Sequence, residues 1–303
     1  MSVSRILGAM GRILIGLGLL ILLFVVYLLW GTGISEAHHQ TSLKHTFQGA
    51  IGQARRESAT PKTQPARSLV QQLVSGEAPA EGQPLAVIDI PKIGADDVVV
   101  QGTGAADLRL GPGHYAGTPL PGQRGNSGIA GHRTTYGAPF SKLDQLSLGD
   151  TILVTTLQGR FTFRVTQTVV VPPTDVSVLD PSSTPMLTLT TCTPRFSASE
   201  RLVVHAALVL GTDRTPGPLS PGSEGRPGVA SKSTLLAGTQ GPWAGAIVWG
   251  AVTLLVSILA WLFGRSRQRR RACLATYAAA LVPVLVLLYL FFENVSPLLP
   301  ASY

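Results

Sequence analysis

The residue types able to carry chemistry gather in residues 186–205, Met-Leu-Thr-Leu-Thr-Thr-Cys-Thr-Pro-Arg-Phe-Ser-Ala-Ser-Glu-Arg-Leu-Val-Val-His. Cys192 and Arg201 are nine positions apart in this stretch. A guanidinium beside a thiol favours the thiolate. It can also donate hydrogen bonds to the oxyanion formed when a carbonyl is attacked, and losing one such donor typically costs about 3 kcal/mol in the transition state. The plain alternative is that Cys192 is a small buried hydrophobe. The surrounding threonines argue against it, because their hydroxyls suit a polar cleft better than a core. A nucleophilic cysteine also needs a base or ion-pair partner. Of the six histidines, His38, His39 and His45 lie in a polar stretch and His114 in a loop between Gly113 and Tyr115. His205, four residues past Arg201, shares its strand face. His132 stands behind Gly131, where an apolar run gives way to Arg133-Thr134-Thr135-Tyr136-Gly137. Local context leaves His132 and His205 both open.

The elements that position these groups are short strands. Leu187, Leu189 and Thr191 alternate with Thr188, Thr190 and Cys192, the period-2 pattern of a half-buried strand. Pro194 ends it by removing a ladder donor. Residues 201–210 form another strand, so Cys192 occupies the last rung of one and Arg201 the first rung of the next. Upstream, strands are predicted at 85–91, 98–101, 125–132, 151–156 and 160–171. Turn and short-helix signals fall at 102–113, a helical turn at 140–146 and a hairpin turn at Gln158-Gly159. Seven or eight short strands with Gly and Pro punctuation over 83–212 imply an all-β, closed or nearly closed barrel. No internal repeat is visible. Asp96 and Asp97 are neighbours that would face opposite sides of a strand, and no His or Cys cluster accompanies them. Neither a metal nor a cofactor is therefore expected.

Hydrophobic residues make up 45% of the 303-residue chain and charged residues only 13%. The cause is three uncharged apolar runs, at 13–30, 243–264 and 272–292, each near the ~20 residues that span a bilayer. The first resembles a signal peptide in following Arg5 and Arg12. It is longer than a usual h-region, and no clear small-x-small cleavage site follows Trp30, so an uncleaved anchor is expected. Arg265, Arg267, Arg269, Arg270 and Arg271 crowd loop 265–271. By the positive-inside rule, residues 1–12 and this loop are cytoplasmic, while 31–242 and the tail 293–303 are extracellular. Residues 31–82 read as a tether with a short helix at 67–74, and the Pro/Gly/Ser-rich 213–242 as a second linker. The net charge of +8 does not imply nucleic acid. Residues 84–212 hold nine Lys/Arg and nine Asp/Glu, so the excess serves topology and lipid headgroups. Cys192 is outside and Cys273 at the inner end of the third run, so they cannot pair. An exported, unpaired thiol suggests reactivity.

Two blocks resemble the sortases, membrane-anchored cysteine transpeptidases of Gram-positive bacteria. Gly-Asn-Ser-Gly-Ile-Ala-Gly-His-Arg-Thr-Thr-Tyr-Gly-Ala-Pro-Phe (125–140) is similar to the family's histidine block. Residues 187–204, with Thr-Leu-Thr-Thr-Cys at 188–192 and Arg201 nine positions on, most resemble class E, the actinobacterial housekeeping group. The similarity runs from about Leu85 to Leu210. It implies an eight-stranded sortase-type barrel with Cys192 as nucleophile, His132 as acid and base, and Arg201 as oxyanion donor. Thr188, Thr191 and Tyr115 fall at substrate-binding positions. It also implies cleavage of the Thr–Gly bond of a Leu-Pro/Ala-x-Thr-Gly-like C-terminal sorting signal on a surface protein. The acyl group would pass to a peptidoglycan-precursor amine of the lipid II type. The C-terminal hairpin departs from typical class E members. Class C, the pilin-polymerising group, often carries a C-terminal span, which keeps pilus assembly as an alternative. A non-catalytic barrel binding cell-wall peptides is another.

Overall fold

The computed structural model describes residues 3–57, 76–209, 243–266 and 270–296. The helix expected at 67–74, the whole of the linker 213–242, the centre of the Arg-rich loop and the tail beyond 296 lie outside them. The helices are α1 (Val3–Val26), α2 (Thr32–Glu57), α3 (Ala105–Leu108), α4 (Trp243–Ser266) and α5 (Arg270–Val295), with a π turn at Tyr27–Gly31. The strands are β1 (Pro84–Ile90), β2 (Ala95–Gln101), β3 (Gly113–His114), β4 (Asn126–Ala130), β5 (Thr151–Thr156), β6 (Gly159–Val171), β7 (Met186–Thr193) and β8 (Glu200–Leu208).

The chain divides into two compact units. One holds α1, the π turn, α4 and α5. Three helices are long and apolar enough to cross a membrane, with windows inside Leu14–Ala54, Trp243–Phe263 and Tyr277–Val295. Within this unit Phe24 meets Phe292 edge-on at 5.0 Å, and Tyr27 meets Tyr289 at 5.4 Å. Such aromatic pairs add specific packing beyond the area they bury.

The other unit is a closed barrel in the order β1-β2-β3-β4-β7-β8-β6-β5. Its eight strands match the expected architecture. β3 is only two residues long, in a segment whose sequence signals turn and helix. It is defined by its partners, parallel to β2 and antiparallel to β4. The interior is filled by alternating residues of the strands, among them Ile88, Ile129, Ile152, Phe163, Leu187 and Leu189, all fully buried. The helical turn expected at 140–146 is a 3-10 turn at Leu143–Gln145.

One expectation is corrected. Where composition predicts a tether over 31–82, Thr32–Glu57 is a helix docked on the barrel. Glu36, Gln40, Phe47 and Ala50 are buried along one stripe, and Phe47 enters the barrel's core. Gln40 donates through Nε2 to the carbonyls of Val98 (3.0 Å) and Leu110 (2.8 Å), and its Oε1 accepts from Val98 N–H (2.7 Å). Lys44 Nζ bonds Asp96 at its carbonyl (2.8 Å) and its carboxylate (3.0 Å). The docking face is half polar, so its helical period is hidden in a hydrophobicity reading.

Candidate active site

The β7 alternation sends Leu187, Leu189 and Thr191 inward and Thr188, Thr190 and Cys192 to the other face. On β8, Leu202, Val204 and Ala206 join the core, which turns Arg201, Val203 and His205 the same way as Cys192. Cys192 pairs directly with Arg201 in the antiparallel β7–β8 register. Directly opposed residues have Cβ atoms about 4.5–5.5 Å apart. The ladder continues one rung further, to Thr193 and Glu200, so Cys192 is one rung inside the position expected. β4 runs parallel to β7, and their last pair is Ala130 with Thr190. His132 and Cys192 each lie two residues beyond that pair. Three adjacent strands thus deliver His132, Cys192 and Arg201 to one end of one sheet.

The turn carrying His132 is held by β7 itself. Gly131 N–H donates to Thr190 O (3.0 Å), and the Thr191 hydroxyl donates back to Gly131 O (2.8 Å). Phe140 N–H bonds His132 O (3.1 Å). Arg133, which the sequence reading passed over, is 7% exposed. Its Nη1 donates to Cys192 O (3.2 Å) and to Thr193 Oγ1 (2.8 Å), while Nη2 pairs with Asp144 at 3.0 Å. One guanidinium therefore ties the histidine turn to the strand end that bears the thiol. Its place directly after His132 was the available signal.

The electrostatics favour a neutral pair. Burial pushes the Cys192 thiol up, and the guanidinium groups of Arg201 and Arg133 only partly offset that. His132 is lowered to about 4, first by burial and then by the charge of Arg109. Arg201 Nη1 donates to Ala198 O (3.0 Å) and Glu200 O (3.1 Å), which holds the guanidinium at the strand end.

The other sequence-singled residues divide. The Tyr115 hydroxyl bonds Thr190 Oγ1 at 2.8 Å. Its ring lies with Leu179 over Gly128, where a β-carbon would collide with both. Burial raises its phenol, and Arg201 is close enough to pull it back and Cys192 to push it up, which puts Tyr115 beside the pair. The hydroxyls of Thr188 and Thr191 both have partners within the protein. Thr191 is 3% exposed and faces inward to Gly131. Thr188 is fully buried, donating to Asn126 Oδ1 (2.6 Å) and meeting His205 Nδ1 (2.9 Å). Asn126 in turn holds the β6–β7 loop through the carbonyls of Val178 and Asp180. His205 shares the face of Arg201 as expected. It pairs with Thr188, four residues from Cys192, or about 13 Å along the strand.

His114 is buried between Gln101 Oε1 (2.9 Å) and Pro119 O (3.0 Å) and lowered to about 4 by burial. His38, His39 and His45 are exposed on α2. Among the described residues no group of three His, Cys, Asp or Glu could hold a metal.

Comparison with known proteins identifies the family. Residues 88–209 match the family described as Sortase domain. Sortase SrtE1 of Streptomyces coelicolor is 33% identical over 229 residues, covering 69% of this chain and 59% of the relative. Sortase D of Bacillus subtilis is 35% identical over 136 residues, covering 43% of this chain and 67% of that one. The solved sortase E of Streptomyces avermitilis is 41% identical, with a TM-score of 0.40, over 43% of this chain and 90% of its own. This chain belongs to the sortase family of cysteine transpeptidases.

Proposed function

We propose that the protein cleaves the Thr–Gly bond of a Leu-Pro/Ala-x-Thr-Gly-like C-terminal sorting signal and transfers the new acyl end to a peptidoglycan-precursor amine. The observation that supports this most is the register, with Arg201 opposite Cys192 and His132 level with it across β4 and β7. Cys192 Sγ attacks the threonine carbonyl carbon as a thiolate. The tetrahedral oxyanion accepts hydrogen bonds from Arg201, whose preorganised charge needs no reorientation of water. The C–N bond then breaks, His132 gives its proton to the departing glycine amine, and a thioester remains on Cys192. The incoming amine attacks that thioester and loses its proton to His132, and the thiolate leaves. The thiolate–imidazolium form is a minority of the enzyme, because burial favours both neutral partners.

Tyr115 lines the approach to Cys192 and selects among signals by filling space over Gly128. Thr191 and Arg133 act by positioning His132 against β7. The three apolar helices are membrane spans, with residues 1–12 and loop 265–271 cytoplasmic and the barrel extracellular. Both arginine clusters favour that orientation.

The test uses the detergent-solubilised full chain, paired peptides with Pro or Ala at the second signal position, and diglycine as acceptor. Cleavage between Thr and Gly with ligation of diglycine, lost in Cys192→Ala, is the expected result. Equal behaviour of wild type and Cys192→Ala would leave a peptide-binding barrel without chemistry.

A further inference from the structure

The turn after His132 is built in an unusual backbone conformation. Tyr136, Gly137 and Ala138 all have positive φ, at 48°, 71° and 48°. For the two non-glycine residues this costs of order 1 kcal/mol each, and such conformations persist only where the surroundings impose them. The imposed feature is the position of the Tyr136 ring. Its centroid lies 5.1 Å from that of His132. On the same ring sits the Arg109 guanidinium, 5.7 Å from the centroid, within the range of a cation–π contact. Arg109 comes from the other side of the site, directly after α3.

Helix α2 supports both ends of this stack. Gln40 bonds the carbonyl of Leu110, the residue after Arg109. Glu36 is 6% exposed and its carboxylate occupies the place where a β-carbon on Gly137 would stand. Glycine at 137 is thus required twice, for its φ and for its missing side chain. The same helix face therefore fixes the segment bearing Arg109 and the segment bearing Tyr136.

We propose that Arg109 is a positioning residue for the transpeptidation, setting the orientation and proton affinity of His132 through the Tyr136 ring, with α2 as the brace that holds Arg109 and Tyr136 in register. This rests on His132 being the acid–base group. A cation held near an imidazole disfavours the imidazolium, which makes the protonated form a stronger acid towards the leaving amine. Burial lowers the proton affinity of His132 first, and the charge of Arg109 lowers it further. The other ionisable groups around the turn are accounted for. Arg133 is paired with Asp144, Glu36 lies behind Gly137 with Asp97 acting on it, and Cys192 and Arg201 lie on the neighbouring strands β7 and β8.

The experiment is a histidine-selective NMR titration of the full chain in nanodiscs. The His132 signal is assigned by its loss in His132→Asn, and the acid limb of kcat/KM is measured alongside. A unit charge acting over roughly 10 Å at an effective dielectric between 20 and 80 moves a titration midpoint by about 0.3–1 pH unit. Arg109→Gln is expected to raise the His132 midpoint by that amount. Arg109→Lys should hold it near wild type, and Tyr136→Phe should keep the stack. The acid limb should move with the NMR midpoint. An unchanged midpoint in folded Arg109→Gln, or an equal rise in Arg109→Lys, overturns the proposal. A midpoint that rises while the acid limb stays fixed supports the stack and instead overturns the assignment of His132 as acid and base.

Discussion

Replacing Gln40 by leucine tests whether α2 is part of the catalytic unit. Three backbone groups depend on this one amide: Val98 N–H, Val98 C=O and Leu110 C=O. Leucine has nearly the same size, so it would cover those groups without bonding them. Each buried group left unpaired costs about 1–3 kcal/mol, so with three such groups Gln40→Leu is expected to cost about 3–9 kcal/mol. That is a large share of the ~5–15 kcal/mol that holds a typical domain together. Gln40→Ala removes the same bonds but opens room for water, which can pair with the exposed groups, so its cost should be smaller. The assay is hydrogen exchange by mass spectrometry on the full chain, reading the peptide over 95–101. At 1.4 kcal/mol per tenfold change, Gln40→Leu should speed exchange at Val98 by about 100-fold or more, with Gln40→Ala between it and wild type. Exchange in Gln40→Leu within threefold of wild type, or greater damage from alanine than from leucine, would refute the reasoning.

Other outcomes follow from the same contacts. The pH profile of kcat/KM should be bell-shaped. The acid limb follows His132 near 4 and the alkaline limb lies above the ordinary cysteine range, because burial lowers the first group and raises the second. A monotonic rise from pH 5 to 10 contradicts a two-group mechanism. Thr191→Val deletes the buried bond to Gly131 O. It should lower kcat with little change in KM and destabilise the fold by about 1–3 kcal/mol in chemical denaturation; a pure KM effect would place Thr191 on the substrate instead. Asp97 is raised to about 6, mainly by burial, against a downward pull from Lys44. The folded state therefore holds this proton more tightly than the unfolded chain, and the contribution is lost as pH rises from about 4 through 6. Asp97→Asn should flatten the stability profile of the full chain over that window, and an unchanged slope there would contradict it.

How far the sequence carried depended on whether a feature was local. The β7–β8 pair was legible because alternation of Leu with Thr and Cys fixes which side chains share a face, and Pro194 fixes where the strand stops. Cys192 and Arg201 followed directly. The three helices long and apolar enough to cross a membrane were legible from length and the absence of charge. The choice of His132 over His205 was not, since both sit at plausible strand positions. It depends on parallel pairing of β4 with β7, a contact between segments some sixty residues apart. Helix α2 was hidden because Gln40 and Lys44 dock by hydrogen bonds and charge and Glu36 is a buried carboxylate, while Phe47, Ala50 and Ile51 add the apolar burial. Thr188 and Thr191 looked like cleft residues because hydroxyls suit a cleft. Their hydroxyls are in fact used by Asn126, His205 and Gly131, which only the folded chain brings within reach. Arg133 was missed for the same reason, as its partners Asp144 and Cys192 O are distant in sequence.

The most direct test of the nucleophile is intact-mass analysis of the full chain after incubation with a sorting-signal peptide and no added amine. The expected result is a mass increase equal to the peptide's acyl portion up to threonine. That adduct should map to Cys192, be released by diglycine and be absent from Cys192→Ala. Release of the glycine fragment with no adduct at Cys192, or the same adduct in Cys192→Ala, would contradict it.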